Sequence, residues 1–136
     1  MKVIVDTPIW SLVMRRRGHP ENEVTVSQLG ALIDEKRIAI IGPIRQELLS
    51  GIREPAHYER VRRQLRAFPD TDITLEDYEA AAGLYNRCRE KGIQGSATDF
   101  LICAIAVRHG FSIFTTDGDF HHFATILPIV LYEQLQ

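Results

Sequence analysis

Val3-Ile4-Val5-Asp6-Thr7-Pro8 opens the chain and sets the terms for the rest of it. A β-branched run of this kind, ending abruptly at an acid, reads as a short buried strand. Pro8 suits the first turn of a helix, with Asp6 or Thr7 as its N-cap. That helix is expected to run through Trp10, Leu12, Val13 and Met14 to about Arg17, where Gly18-His19-Pro20 breaks it. Trp10 and Met14, four residues apart, read as core packing.

The same alternation continues along the chain. A helix is expected over about Glu23 to Lys36, with Leu29, Leu32 and Ile33 on one face. Ile38-Ala39-Ile40-Ile41 reads as a second strand, closed by Gly42-Pro43. The next helix carries Ile44, Leu48 and Ile52 in one stripe. After Pro55 another aligns Tyr58, Val61, Leu65 and Phe68, with Arg60, Arg62, Arg63 and Arg66 on its far side. Asp72-Ile73-Thr74 is a weak strand candidate. Asp77 to Lys91 reads as a helix aligning Tyr78, Ala81, Ala82 and Tyr85, stopped by Gly92. Ser96 to His109 is apolar nearly all round, which predicts a buried helix with Gly110 ending it. Phe111-Ser112-Ile113-Phe114 is a strand, Phe120–Ala124 a short helix, and Ile129–Tyr132 a last strand. Apolar strands separated by helices imply a parallel sheet covered on both faces. The expectation is therefore a single α/β domain over residues 1–136, a three-layer α/β/α sandwich around a mostly parallel sheet of four to five strands.

Composition bounds the function. With 136 residues, 45% of them hydrophobic and 25% charged, the chain can build a core without staples. No apolar run reaches the roughly 20 residues of a membrane helix, and Asp6 falls where a signal peptide would still be apolar. Cys88 and Cys103 sit in apolar helical patterns and read as buried free thiols. A cytoplasmic protein with no membrane contact is expected. Net charge is −2, which argues against generic nucleic-acid binding, but it is unevenly spread: residues 1–69 balance to +4 and residues 70–136 to −6. Basic surface and a concentrated acidic patch can thus coexist.

In open α/β sheets ligands bind outside the carboxyl ends of the strands. Asp6 ends the first strand, Asp117 follows the strand 111–114, Asp99 lies in the first turn of the buried helix, and Glu47 is one turn into the helix after the second strand. Each has a plain structural role open to it: Asp6 as a cap, Ser96–Asp99 as a capping box, Asp117-Gly118 as a turn, Glu47 as solvated surface. Gathered at one rim, four acids repel one another, and a hard divalent cation answers that repulsion.

The spread Asp6-Thr7, Glu47, Asp99 and Thr115-Thr116-Asp117-Gly118-Asp119-Phe120 resembles the PIN-domain nucleases, most of all the VapC toxins of toxin–antitoxin pairs. The resemblance runs over essentially the whole chain. Its more specific pieces are the β-branched start followed by Asp-Thr and the late Thr-x-Asp-x-Asp-Phe. It implies an endoribonuclease dependent on Mg²⁺ or Mn²⁺, hydrolysing RNA phosphodiesters by metal-activated water, with a cognate VapB-like antitoxin and a homodimeric state. The family's catalytic acids map onto Asp6, Glu47, Asp99 and Asp117, with Asp6, Asp99 and Asp117 as metal ligands. Thr7, Thr115, Thr116 and Asp119 take supporting places. Arg15, Arg16 and Arg17 are the candidate RNA-backbone contacts, and the Arg60–Arg66 face is an alternative that reads equally well as solvated helix.

Competing readings are a catalytically idle PIN-like binding module and a housekeeping RNA-processing nuclease. A phospho-accepting signalling domain would need a late lysine, and the last is Lys91. His121-His122 invites zinc, but adjacent residues point apart and carboxylates suit magnesium better. No glycine-rich nucleotide loop is present.

Overall fold

The computed structural model of the chain describes residues 1–14 and 22–133; Arg15, Arg16, Arg17 and the Gly18-His19-Pro20 break lie outside the described residues. Four strands form one sheet in the order β2-β1-β3-β4, where β1 is Val3–Val5, β2 Ile38–Ala39, β3 Ser112–Phe114 and β4 Val130–Leu131. Every pairing is parallel. Val3 lies beside Ile38 on one side and Ser112 on the other, and Ile113 lies beside Leu131. The central strands are buried along their whole length, as the apolar runs required.

Helices α1 (Thr7–Met14), α2 (Glu23–Asp34), α3 (Gly42–Leu49) and α4 (Pro55–Leu65) pack on one another. Helix α5 (Leu75–Glu90) pairs with α6 (Ala97–His109), and α6 packs on β3. With the short α7 (Asp119–Ala124), these cover the sheet in the expected α/β/α layers. No described helix is long and apolar enough to cross a membrane.

Local chemistry explains the boundaries. Ser96 accepts from the Asp99 amide and Asp99 returns a bond to the Ser96 amide, a complete capping box that starts α6. Gly110 ends that helix at φ 71°, a left-handed conformation that glycine takes without a Cβ clash. Between them Phe100 to Ala106 are all buried, so α6 is the central core helix. Trp10 is fully buried against Phe68, and its indole N–H donates to the Val5 carbonyl at 3.0 Å. Both cysteines are free and buried, and burial pushes both thiols up, which leaves them inert.

Three expectations are corrected. Residues 72–74 form no strand: the chain makes a single parallel bridge between Ile40 and Asp70, and Thr74 caps α5 in a capping box with Asp77. The competing signal was the Thr-x-x-Asp spacing, whose local bonds win over the weak β propensity of Asp-Ile-Thr. The second strand is shorter than residues 38–41, because Ile40 turns away to that bridge. Of the aligned residues Tyr78, Ala81, Ala82 and Tyr85, Ala81 alone is core. Both tyrosines and Ala82 are exposed, and α5 buries Asp77, Ala81 and Cys88.

Gly95 shows how tightly the α6 entrance is packed. A Cβ there would lie 2.5 Å from Phe123 Cζ and 3.0 Å from Phe100 Cε2, and both rings are buried. Gly95→Ala should therefore cost about 1–3 kcal/mol. At roughly 3 °C per kcal/mol for a chain of this size, a thermal melt should show the midpoint falling by several degrees.

Candidate active site

The parallel sheet delivers the carboxyl ends of β1 and β3 to one rim, and the acids assemble there. Asp6 follows β1, and its amide donates to the Phe114 carbonyl at 2.9 Å, extending the ladder by one step. The residue is 5% exposed. One oxygen accepts from the Thr7 amide at 2.8 Å and the other from the Thr115 hydroxyl at 2.8 Å. The Thr115 hydroxyl accepts in turn from the Asp117 amide at 3.0 Å, so one threonine ties the two acids together. Across the rim the Thr7 hydroxyl donates to Glu47 at 2.7 Å, joining α1 to α3. Asp99 is fixed by its capping box at the start of α6. The Asp119 amide donates to Asp117 at 2.9 Å, which closes the loop before α7.

A cleft of about 650 Å³ results, lined by Asp6, Thr7, Glu47, Asp99, Thr116 and Asp117 among others. All four candidate acids face it. Glu47, placed from its helix position alone, is brought within hydrogen-bond reach of Thr7, 40 residues away in sequence. Asp119 is exposed and does not line the cleft, although its charge is felt by Asp99. Sequence reasoning missed Ser11 and Asn22, which also line it. Ser11 lies one helical turn after Thr7 and so shares its face, a signal that was readable. Asn22 stands at the N-cap position of α2 without a side-chain capping bond, which only the structure reveals.

The electrostatics fit a cation site. Burial lifts the Asp6 carboxyl from its ordinary value to about 6. Its two hydrogen bonds oppose that rise, and the charges of Asp99 and Glu47 add to it. Burial also raises Asp99, with Asp117 and Asp119 contributing. A rim that holds carboxylates in mutual repulsion gains when a cation neutralises them. The donors are hard oxygens, and among the described residues no histidine or cysteine lines the cleft, which suits Mg²⁺ or Mn²⁺ over zinc. Among the described residues no three acidic, histidine or cysteine side chains converge tightly enough to enclose an ion by themselves. The His121-His122 pair gains no third ligand.

Comparison with known proteins identifies the family. The PIN domain family model matches residues 3–126. Ribonuclease VapC11 of Mycobacterium tuberculosis is 32% identical over 128 residues, covering 91% of this chain and 92% of its own length. Among solved structures, VapBC2 from Rickettsia felis, bound to a DNA fragment from its promoter, aligns over all of both chains with TM-score 0.77 at 17% identity. A toxin–antitoxin complex from Klebsiella pneumoniae aligns with TM-score 0.71 at 20% identity, over 98% of this chain and 100% of its own. These structural likenesses establish the fold. The family model and the sequence match place the chain in the PIN-domain family, among the VapC ribonucleases.

Proposed function

We propose that this chain is a divalent-metal-dependent endoribonuclease of the cytoplasm, the toxin of a pair whose VapB-like antitoxin blocks the cleft, and that residues 1–136 act as one nuclease domain. The observation that carries the reading is the convergence of Asp6, Glu47, Asp99 and Asp117 on one cleft, in a chain with a ribonuclease relative along nearly its whole length. A homodimer belongs to the same proposal.

Asp6, Asp99 and Asp117 would hold Mg²⁺ or Mn²⁺, which supplies acidity to water and neutralises charge on the scissile phosphate. The protein's own part is positioning. Thr115 and the Thr7 amide keep the Asp6 carboxylate turned to the cleft. Thr7 occupies one oxygen of Glu47 and leaves the other to orient the attacking water. Thr116, exposed at the rim, is placed to donate to a phosphate oxygen. An RNA strand needs cations along its backbone, and Arg15, Arg16 and Arg17 follow directly on α1 in the sequence. An antitoxin arginine or lysine reaching the acids would complement their charge and exclude substrate.

Attack by water leaves a 5′-phosphate and a 3′-hydroxyl and uses no ribose hydroxyl as nucleophile. Purified protein, freed of antitoxin, should therefore cut an RNA oligonucleotide whose ribose on the 5′ side of the cut is 2′-deoxy, and mass spectrometry should find 5′-phosphate ends. A 2′,3′-cyclic phosphate product, or a complete block by that single deoxy substitution, would overturn the hydrolytic reading.

A further inference from the structure

A second cleft of about 450 Å³ adjoins the first, and Thr116 lines both. It lies on the other side of the Thr115-Thr116 segment, where β4 ends. Because β1, β3 and β4 are parallel, extending the β1–β3 register by one residue and the β3–β4 register by two sets Asp6, Thr115 and Glu133 side by side along the sheet's carboxyl edge. The floor of the second cleft is Ile113 and Leu131, and Tyr132, His121, Glu133 and Thr116 complete its walls. Tyr132 is anchored by its amide, which donates to the Ile113 carbonyl at 2.8 Å, and by its ring against Phe114. Among the described residues, neither the Tyr132 hydroxyl nor the His121 ring makes a hydrogen bond within the chain.

We infer that this cleft is a nucleobase subsite, which takes the base of one nucleotide flanking the phosphate held over the acids. The inference rests on the nuclease reading and deepens it. A base offers two flat faces and an edge of donors and acceptors. The cleft offers two aromatic rings, an apolar floor, and unengaged hydroxyl, imidazole and carboxylate groups. A phosphate would be a poor occupant, since among the described residues no lysine or arginine lines the cleft and Glu133 would repel it. The two clefts thus divide one nucleotide's chemistry: phosphate on the acid side, base on the aromatic side. His121, which suits no zinc site, acquires a role.

The test compares an RNA oligonucleotide holding a single cut site with versions carrying an abasic ribose at each position around the cut. Proteins are the wild type, His121→Ala and Tyr132→Leu. His121 is exposed, so its variant folds even if the Tyr132 variant loses core packing. For the wild type, removing the base at one flanking position should lower kcat/KM about 10–100-fold, the range for losing one stacked base. The abasic penalty should shrink to within about threefold in His121→Ala, while abasic positions further away cost little in any protein. Equal cleavage of intact and flanking-abasic RNA by the wild type would overturn the subsite and leave the nuclease standing. An undiminished penalty in His121→Ala would overturn it too. Wild type that cuts none of the RNAs would refute the nuclease reading, and the subsite with it.

Discussion

Asp6→Asn should lower RNA cleavage by about 10³-fold or more while making the metal-free protein more stable at pH 8. The loss follows from the charge that Asp6 contributes. A bound cation's stabilisation of the reacting phosphate is worth several kcal/mol, and each 1.4 kcal/mol is a factor of about ten in rate. The gain follows from burial. A carboxyl moved from 3.8 to about 6 costs the folded state roughly 3 kcal/mol once it is ionised. Asparagine keeps the bond from the Thr7 amide, and the Thr115 hydroxyl can turn to accept from the new amide. Part of the cost is thus recovered, roughly 1–3 kcal/mol.

The pH dependence has a definite sign. Because the folded carboxyl holds its proton more tightly than the unfolded one, Asp6 makes the folded state progressively less stable as pH rises from about 4 to about 6. Above that the penalty is constant. Melting wild type and variant in EDTA should show the variant ahead at pH 8 and its lead shrinking towards pH 4. Equal midpoints throughout would mean that Asp6 is not strained by its burial.

Arg108→Ala should lower the stability of the protein without touching the cleft, because it removes the cation held against the Asp77 carboxylate. Asp77 is 2% exposed, and among the described residues its one cation partner is Arg108, whose Nε and Nη2 donate to its two oxygens at 2.6 and 2.8 Å. Asp77 also completes the capping box that starts α5, and Arg108 lies near the end of α6. The pair therefore pins the start of one helix to the end of the other. Removing the arginine leaves the Asp77 carboxylate without its partner, and the melting midpoint should drop by several degrees at pH 7.

The arginine bond, ahead of the capping bonds, holds the Asp77 carboxyl below its ordinary range. Its contribution is therefore present above the unfolded value and fades as pH falls through the folded one. The difference between wild type and variant should narrow below about pH 4. Asp77→Asn together with Arg108→Ala should recover part of the loss, because no charge is then left buried. A double variant as damaged as the single one would show that packing by the arginine stem, and not charge, is what matters.

The sequence carried much of this because the deciding signals were local. The β-branched run ending in Asp6, the Phe111–Phe114 run before Thr115, the Ser96–Asp99 capping spacing and Gly110 each fix backbone geometry within a few residues. The parallel-sheet rule then placed the acids at one rim. What stayed hidden depends on contacts across the chain. Nothing near Asp77 announces that an arginine 31 positions later will let it be buried. A helical wheel of α5 put Tyr78 and Tyr85 on the apolar side, yet α6 packs against the neighbouring face with Ala81 and Cys88. Thr74 read as strand because its β propensity was weighed and its capping spacing to Asp77 was not. The site shows the same division. The acids were legible from their places at element ends, but the Thr7–Glu47 and Thr115–Asp6 bonds span 40 and 109 positions and could only be seen folded. The second cleft, built where β4 meets the rim, had no sequence signal at all.

The central claim is that carboxylates at the sheet's edge cut RNA through a divalent cation. It is tested most directly by incubating total bacterial RNA with antitoxin-free wild type and Asp99→Asn, each in Mg²⁺ and in EDTA. The account predicts a defined set of fragments from wild type in Mg²⁺ and none in the other three reactions, with Mn²⁺ restoring the EDTA-treated wild type. The same fragments from Asp99→Asn or in EDTA, or no cleavage by folded wild type in Mg²⁺, would contradict it.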